Sequence, residues 1–198
     1  MFKYTVRIDN DSDCSDPSKE CNRWRIYSFH SNHLNHTDPS EFLTESGKFK
    51  FQIARKLQIG LAFPLSYYEH GLGLWSVGGT GPQCNFDTTQ FAGMAVWEEP
   101  ASEMGAKTIE DRQKDLAGEL EDYTNWHNGN CYYIDITDNE TGEDVERLGG
   151  MVGEDQATDT LKEMLPDDAT KENTEFVGDG VWMLNYCDVF AETPTCPV

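Results

Sequence analysis

The sequence predicts an α+β fold, a single domain with a mostly antiparallel sheet and two or three helices. Alternating apolar and polar residues recur in short segments, which is typical of strands that bury one face. One longer segment carries its apolar residues near a single helical face. The chain has 198 residues, of which 37% are apolar and 12% aromatic. This composition suits one domain with a substantial core and argues against wholesale disorder.

The first half of the chain is predicted to consist mainly of strands. These strands cover residues 2–9, 24–30, 57–68 and 91–97. A polar loop separates the first two, and the glycine-rich stretch at 71–81 is typical of a turn-rich strand or a loop. A helix is predicted to begin at 38–43, because proline is favoured in a first turn and acidic residues favour the positive end of the helix dipole.

The second half is predicted to contain a helix, a hairpin and a shorter helix. The helix covers residues 108–126, and Gly129 is a natural stop. Its apolar face comprises Ile109, Leu116, Leu120 and Tyr123. The hairpin pairs strands at 131–136 and 145–152 across a turn at 139–142. Three segments follow: a short helix at 158–165 ended by Pro166, a polar connection at 167–179, and a late strand or core plug at 181–186.

Negative charge is concentrated in one part of the chain. Residues 98–179, the acidic helix-hairpin-helix half, contain 24 acidic and 6 basic residues, a net charge of −18 out of −21 for the whole chain. Residues 1–97, the sheet-rich half, are near neutral with 10 acids and 9 bases, and residues 180–198 form a C-terminal strand or tail. Such charge repels nucleic acid and anionic membranes, so we expect neither as a direct partner.

Two explanations of this charge remain, solubility at high salt and a basic partner. A salt-adapted protein would spread its acids over the whole surface, so the concentration favours a partner. The predicted partner-binding carboxylates lie on the helix and the hairpin. They are Glu110, Asp111, Asp115, Glu119, Asp122, Asp138, Glu140, Glu143 and Asp144.

The cysteines are expected to be reduced thiols or, together with histidines, metal ligands. The N-terminus lacks the apolar core of a signal peptide, which indicates an intracellular protein whose six cysteines stay reduced. Cys187 and Cys196 could close a small loop after oxidation. One structural zinc is expected, since zinc takes Cys and His ligands. Its leading ligand set is His30, His70 and Cys84, each at or after the end of a predicted strand, and its second set is Cys14 and Cys21.

The loop at residues 9–20 resembles a calcium loop in its oxygen ligands. They occupy the first, third, fifth, seventh and twelfth positions. Cys14 stands where that loop needs glycine, and a strand precedes it instead of a helix. The alternative is a solvated acidic turn.

Catalytic motifs are not found in the sequence. There is no nucleophile elbow, phosphate-binding loop, dinucleotide fingerprint or His-Glu-x-x-His. Cys84 with His70 could form a nucleophile and base. The catalytic alternative is a metal-dependent hydrolase centred on His70, Cys84 and Asp87.

Residues 61–97 carry a family resemblance. The segments PLSYYEHG at 64–71, QCNFD at 83–87 and FAG at 91–93 resemble a family of small uncharacterised proteins encoded by phages and mobile elements. In that family an aromatic-Asp-His-Ser-Gly stretch precedes Cys-x-Trp-Asp and a glycine-containing strand. The similarity extends to WHNGNCYY at 126–133, the hairpin at Gly142 and WRIYSFH at 24–30. Here Phe86 replaces the family's Trp, and the Ser of His-Ser-Gly is missing.

The resemblance implies a phage or mobile-element origin, and such genes often encode inhibitors of host defence. We therefore expect a non-enzymatic, anti-CRISPR-type inhibitor in the host cytoplasm. Its acidic surface would bind the basic DNA channel of a host defence nuclease and block DNA loading, because carboxylates can stand in for phosphates. The alternatives are the metal-dependent hydrolase and an accessory phage protein.

Overall fold

The fold is α+β with mostly antiparallel strands, as predicted. The computed structural model describes residues 2–19, 24–183 and 189–190. Within these residues it has eight strands: β1 (Tyr4–Asn10), β2 (Trp24–Ser28), β3 (Ala62–His70), β4 (Leu72–Val77), β5 (Thr88–Trp97), β6 (Cys131–Asp138), β7 (Glu143–Val152) and β8 (Thr174–Val177). The three α-helices there are α1 (Phe51–Gln58), α2 (Ile109–His127) and α3 (Glu154–Met164).

The chain divides into two compact units, and the strands form two four-stranded sheets where the sequence predicted one. The terminal unit comprises Met1–Ser15 and Gly129–Val198, and the central unit comprises Asp16–Asn128. Alternation of apolar and polar side chains predicts strands but not which strands pair. The sequence therefore could not show that the strands divide into two sheets. The boundaries predicted for a single domain stay a prediction.

The terminal unit contains the sheet β7-β6-β1-β8. β1 pairs antiparallel with β6, Val6 opposite Ile136, and parallel with β8. The buried face of this sheet packs with α3 in an apolar cluster. Its fully buried members include Val6, Ile8, Ile134, Ile136, Ala157 and Leu161. The outer strand β7 departs from this pattern, since its first eight residues are all exposed.

The central unit contains the antiparallel sheet β2-β5-β3-β4, which has an apolar cluster on each face. Phe63 and Leu65 of β3 belong to the cluster that includes α2, whereas Ala62 belongs to the one that α1 packs against. Alternate residues of a strand point to opposite faces, so one strand supplies both clusters. α2 begins with a capping box in which Thr108 Oγ1 accepts from the backbone N–H of Asp111 (3.0 Å).

Several predicted elements differ from the structure. The helix predicted at 38–43 is only a 3₁₀ turn, Pro39–Glu41, in which Asp38 accepts from the Ser40 N–H (2.8 Å). The strand predicted at 57–68 begins only at Ala62, because residues before it complete α1 and a turn at Gly60, whose φ is +67°. β8 lies within the predicted polar connection. The plug predicted at 181–186 begins as a 3₁₀ turn, Val181–Met183, and its remainder lies outside the described residues.

Candidate functional site

The predicted partner-binding acids of α2 are partly structural. Asp111 accepts from the Thr108 N–H (3.4 Å) as its half of the capping box. Asp115 Oδ2 accepts from the indole N–H of Trp24 (2.9 Å), whose ring is fully buried. Glu110 is exposed, whereas Glu119 and Asp122 are half-buried. Replacing all five would therefore change the helix cap and a core residue as well as the surface.

The predicted acids of the β6–β7 hairpin are more accessible. Asp138 accepts from the backbone N–H groups of Glu140 (2.7 Å) and Thr141 (3.2 Å) and so holds the turn. Glu140, Glu143 and Asp144 are exposed, and so is Glu146, which the sequence analysis did not single out. Their exposure leaves these side chains in contact with solvent.

Charge in the hairpin is almost uncompensated. Arg147 is its one base, and it forms an ion pair with Asp135. Within the described part of the chain, no ion pair involves the side chains of Glu140, Glu143, Asp144 or Glu146. The helix and the hairpin belong to different compact units. The structure therefore gives two acidic segments, of which the hairpin carries four exposed carboxylates without ion pairs.

The three residues proposed as a hydrolase centre lie together in the central unit. Cys84 Sγ donates to Asp87 Oδ2 (3.3 Å), and His70 Nδ1 lies 3.5 Å from the same oxygen. The loop that carries Cys84 and Asp87 is held to β3, since the Glu69 N–H donates to the Asp87 carbonyl (2.9 Å). The His70 side chain is 76% exposed. This is an accessible group of a thiol, a carboxylate and an imidazole.

His30, the other member of the leading zinc set, lies in a different cluster of the central unit. Its ring stacks on His33 (centroids 4.9 Å apart) and meets Tyr67 edge to face (5.4 Å). His33 in turn meets His127 of α2, with centroids 4.5 Å apart. We call His30, His33, His127 and Tyr67 the histidine cluster. Sequence reasoning did not find it, because only the docking of α2 brings His127 to the β2–α1 connection.

Hydrogen bonds orient two imidazoles of the histidine cluster. Ser28 Oγ lies 2.8 Å from His33 Nδ1, and Tyr67 Oη lies 3.1 Å from His127 Nε2. Burial, together with the neighbouring imidazoles of His127, His30 and His36, lowers the pKa of His33 to about 4. Burial also lowers the pKa of His127. Both rings are therefore neutral at neutral pH, because burial disfavours their charged forms, and protonation of one ring disfavours protonation of its neighbours.

The free energy of unfolding is expected to fall as the pH drops from 7 to 5. His33 has its pKa lowered in the folded state, so the unfolded chain binds protons first, near its ordinary pKa of 6.5. The loss is complete only near pH 4 and amounts to about 1–3 kcal/mol, since burial is partial. Urea unfolding at several pH values measures it. His33→Gln should flatten the pH dependence. An unchanged slope in His33→Gln would contradict the assignment.

The second predicted ligand set, Cys14 and Cys21, is only partly described by the structure. Within the described residues, no three or more His, Cys, Asp or Glu side chains are arranged to hold a metal ion. Cys21 lies outside the described residues, as do Glu20, Cys187 and Cys196. Cys14 is half-buried, and its thiol donates to the Ser15 carbonyl oxygen (3.8 Å). The zinc site stays a prediction.

The acids of the predicted calcium loop bind the protein's own N–H groups. Asp9 Oδ1 accepts from the Asp179 N–H (2.9 Å), and Asp11 accepts from the N–H groups of Asp13 and Gly150 (3.0 and 2.8 Å). These carboxylates therefore hold the backbone around an acidic turn, and the calcium loop stays a prediction.

Comparison with protein-family models, curated proteins and solved structures finds no match to this chain. None of the helices in the described part of the chain combines the length and apolarity that a membrane span requires.

Proposed function

We propose that the protein is a non-enzymatic inhibitor of the anti-CRISPR type, which binds the basic nucleic-acid-binding surface of a host defence nuclease through its acidic hairpin and blocks DNA loading. The observation that carries the proposal is the set of four exposed hairpin carboxylates without ion pairs: Glu140, Glu143, Asp144 and Glu146. The phage resemblance supplies the class of target.

The geometry of β7 supports an imitation of nucleic acid. An antiparallel strand rises about 3.4 Å per residue, and each strand of B-DNA carries one phosphate per about 3.4 Å of helix axis. Glu143, Asp144 and Glu146 follow each other along β7. Because residues on both faces of this part of the hairpin are exposed, carboxylates that point in opposite directions can both reach the walls of a basic groove.

Energetics also favour the hairpin over α2 as the main contact. An exposed carboxylate with no ion pair keeps its full charge for a partner, whereas Asp111 and Asp115 already accept hydrogen bonds that hold the helix start and Trp24. Binding of this kind neutralises several charges at once and should weaken steeply with salt.

Titration against DNA cleavage by a CRISPR nuclease tests the proposal. We expect inhibition to saturate near one molecule per nuclease and to reverse when salt rises from about 50 to about 200 mM. The mass of the nuclease should stay unchanged, because a bound mimic makes no covalent change. Inactivation of an excess of nuclease, with a shift in its mass, would contradict the proposal.

The Cys84–Asp87–His70 group favours a second candidate, a metal-dependent hydrolase. Thiolate, imidazole and carboxylate are all zinc ligands, and the three groups already meet at Asp87 Oδ2. They would have to rearrange around a cation, because they now share one oxygen. In this case the same titration would show turnover, and elemental analysis would show about one zinc per chain. Asp87→Asn would abolish both the turnover and the zinc binding.

A further inference from the structure

We propose that β7 is a docking edge on which a basic, extended segment of the partner adds as a further strand of the sheet. This inference rests on the proposed function and specifies its binding mode. Acidic side chains then select the partner, while backbone hydrogen bonds along β7 hold it.

The position of β7 in the sheet makes strand addition feasible. β7 is the outer strand in the order β7-β6-β1-β8 and has ten residues. Among the described residues, no strand pairs with its outer side. An outer strand presents a row of N–H and C=O groups that can pair with another chain. β8, the opposite edge of the sheet, has only four residues and offers a much shorter row.

Two exposed apolar side chains on β7 add a contact surface for such a strand. Val145 is 44% exposed and Leu148 is 46% exposed. Leu148 pairs with Ile134 of β6 and so lies at the margin of the buried apolar face. An added strand would cover part of both side chains, and cross-strand pairs of this kind stabilise a sheet.

The charge on β7 decides which strand can be added. A second copy of this chain would place Glu143, Asp144 and Glu146 near the same acids, and like charges facing each other across strands destabilise pairing. A net charge of −21 adds repulsion at long range. A segment with Lys or Arg at alternate positions has the opposite properties. The acids therefore exclude self-pairing and favour a basic strand.

Binding of two synthetic peptides tests the inference. The first is a ten-residue peptide of alternating lysine and valine with blocked ends. The matched control has the same sequence with every second backbone nitrogen methylated, which keeps the charge and removes the hydrogen bonds of one edge. We expect the first peptide to slow hydrogen exchange of the outward-facing amides in residues 143–149, and we expect the methylated peptide to bind at least tenfold more weakly.

The possible results distinguish a failure of strand addition from a failure of the proposed function. Equal binding of the two peptides, without slowed exchange in β7, would overturn strand addition and leave the acidic hairpin as a purely electrostatic contact. Binding of neither peptide at low salt would overturn both. Leu148→Ser should lower the affinity for the unmethylated peptide several-fold. It should change the folding equilibrium constant of the protein alone by a smaller factor, because the side chain is half exposed.

Discussion

Reversing the four free hairpin carboxylates is expected to abolish inhibition. The variant carries Glu140→Lys, Glu143→Lys, Asp144→Lys and Glu146→Lys. An exposed charge pair contributes up to about 1 kcal/mol, so four lost pairs weaken binding by up to about 4 kcal/mol, or up to roughly a thousandfold. Affinity for the nuclease at low salt measures the effect. The fold should persist, since these side chains are exposed and form no ion pair within the described residues.

The matched control reverses four exposed acids elsewhere and changes the net charge equally. Glu45, Glu99, Glu163 and Glu172 are exposed and lie outside the hairpin. If attraction depended only on net charge, the two variants would lose affinity alike, and that result would contradict a localised surface. Reversal of the α2 acids is a poorer experiment. It would remove the Asp111 cap and leave the buried Trp24 N–H without its acceptor, so loss of binding could follow from loss of structure.

Gly93→Ala is expected to cause a large loss of stability. Gly93 lies in β5, between β2 and β3, and an added Cβ would come within 2.3 Å of the Tyr27 carbonyl oxygen and 3.1 Å of the Trp75 ring. The carbonyl belongs to the backbone of a paired strand and cannot move aside. We expect the free energy of unfolding to fall by about 3 kcal/mol and the melting temperature by about 6–12 °C.

Gly118→Ala provides the matched control in α2. No atom lies within 4 Å of its would-be Cβ, and alanine is the better helix former, so stability should rise by about 0.5–1 kcal/mol. Circular dichroism during heating compares the two variants. Equal melting temperatures for both would contradict the close approach of β2 to β5 at Gly93.

The local sequence pattern predicted the elements whose own residues show which side is buried. The alternation of Tyr4, Val6 and Ile8 predicted β1, and the face of Leu116, Leu120 and Tyr123 predicted α2, because each pattern reports burial on one side. α1 was missed since it has only eight residues and runs directly into apolar Leu61 and Ala62. The single predicted sheet could not be corrected from sequence, because pairing depends on contacts between distant segments.

The candidate sites show the same limit. His70 and Asp87 could be placed together because the end of β3 pairs with the start of β5, Tyr68 opposite Thr88. His30 could not be placed, since its ring meets Tyr67 of β3 and connects to the distant helix α2 only through His33. That helix is held at β4 by a double hydrogen bond between Asn128 and the backbone of Gly73 (2.9 and 2.8 Å). The sequence around His127 contains Asn128 but does not indicate that its partner is Gly73.

The division of the chain has a consequence for biosynthesis. The central unit is one continuous segment, Asp16–Asn128, so all of it is available for folding before the rest of the terminal unit has been translated. β1 is translated before its partners β6 and β8, which come more than a hundred residues later, Tyr4 opposite Asp138 and Thr174. Throughout that interval the apolar side of β1 is without its sheet. The central unit can therefore fold before β1 pairs with β6 and β8.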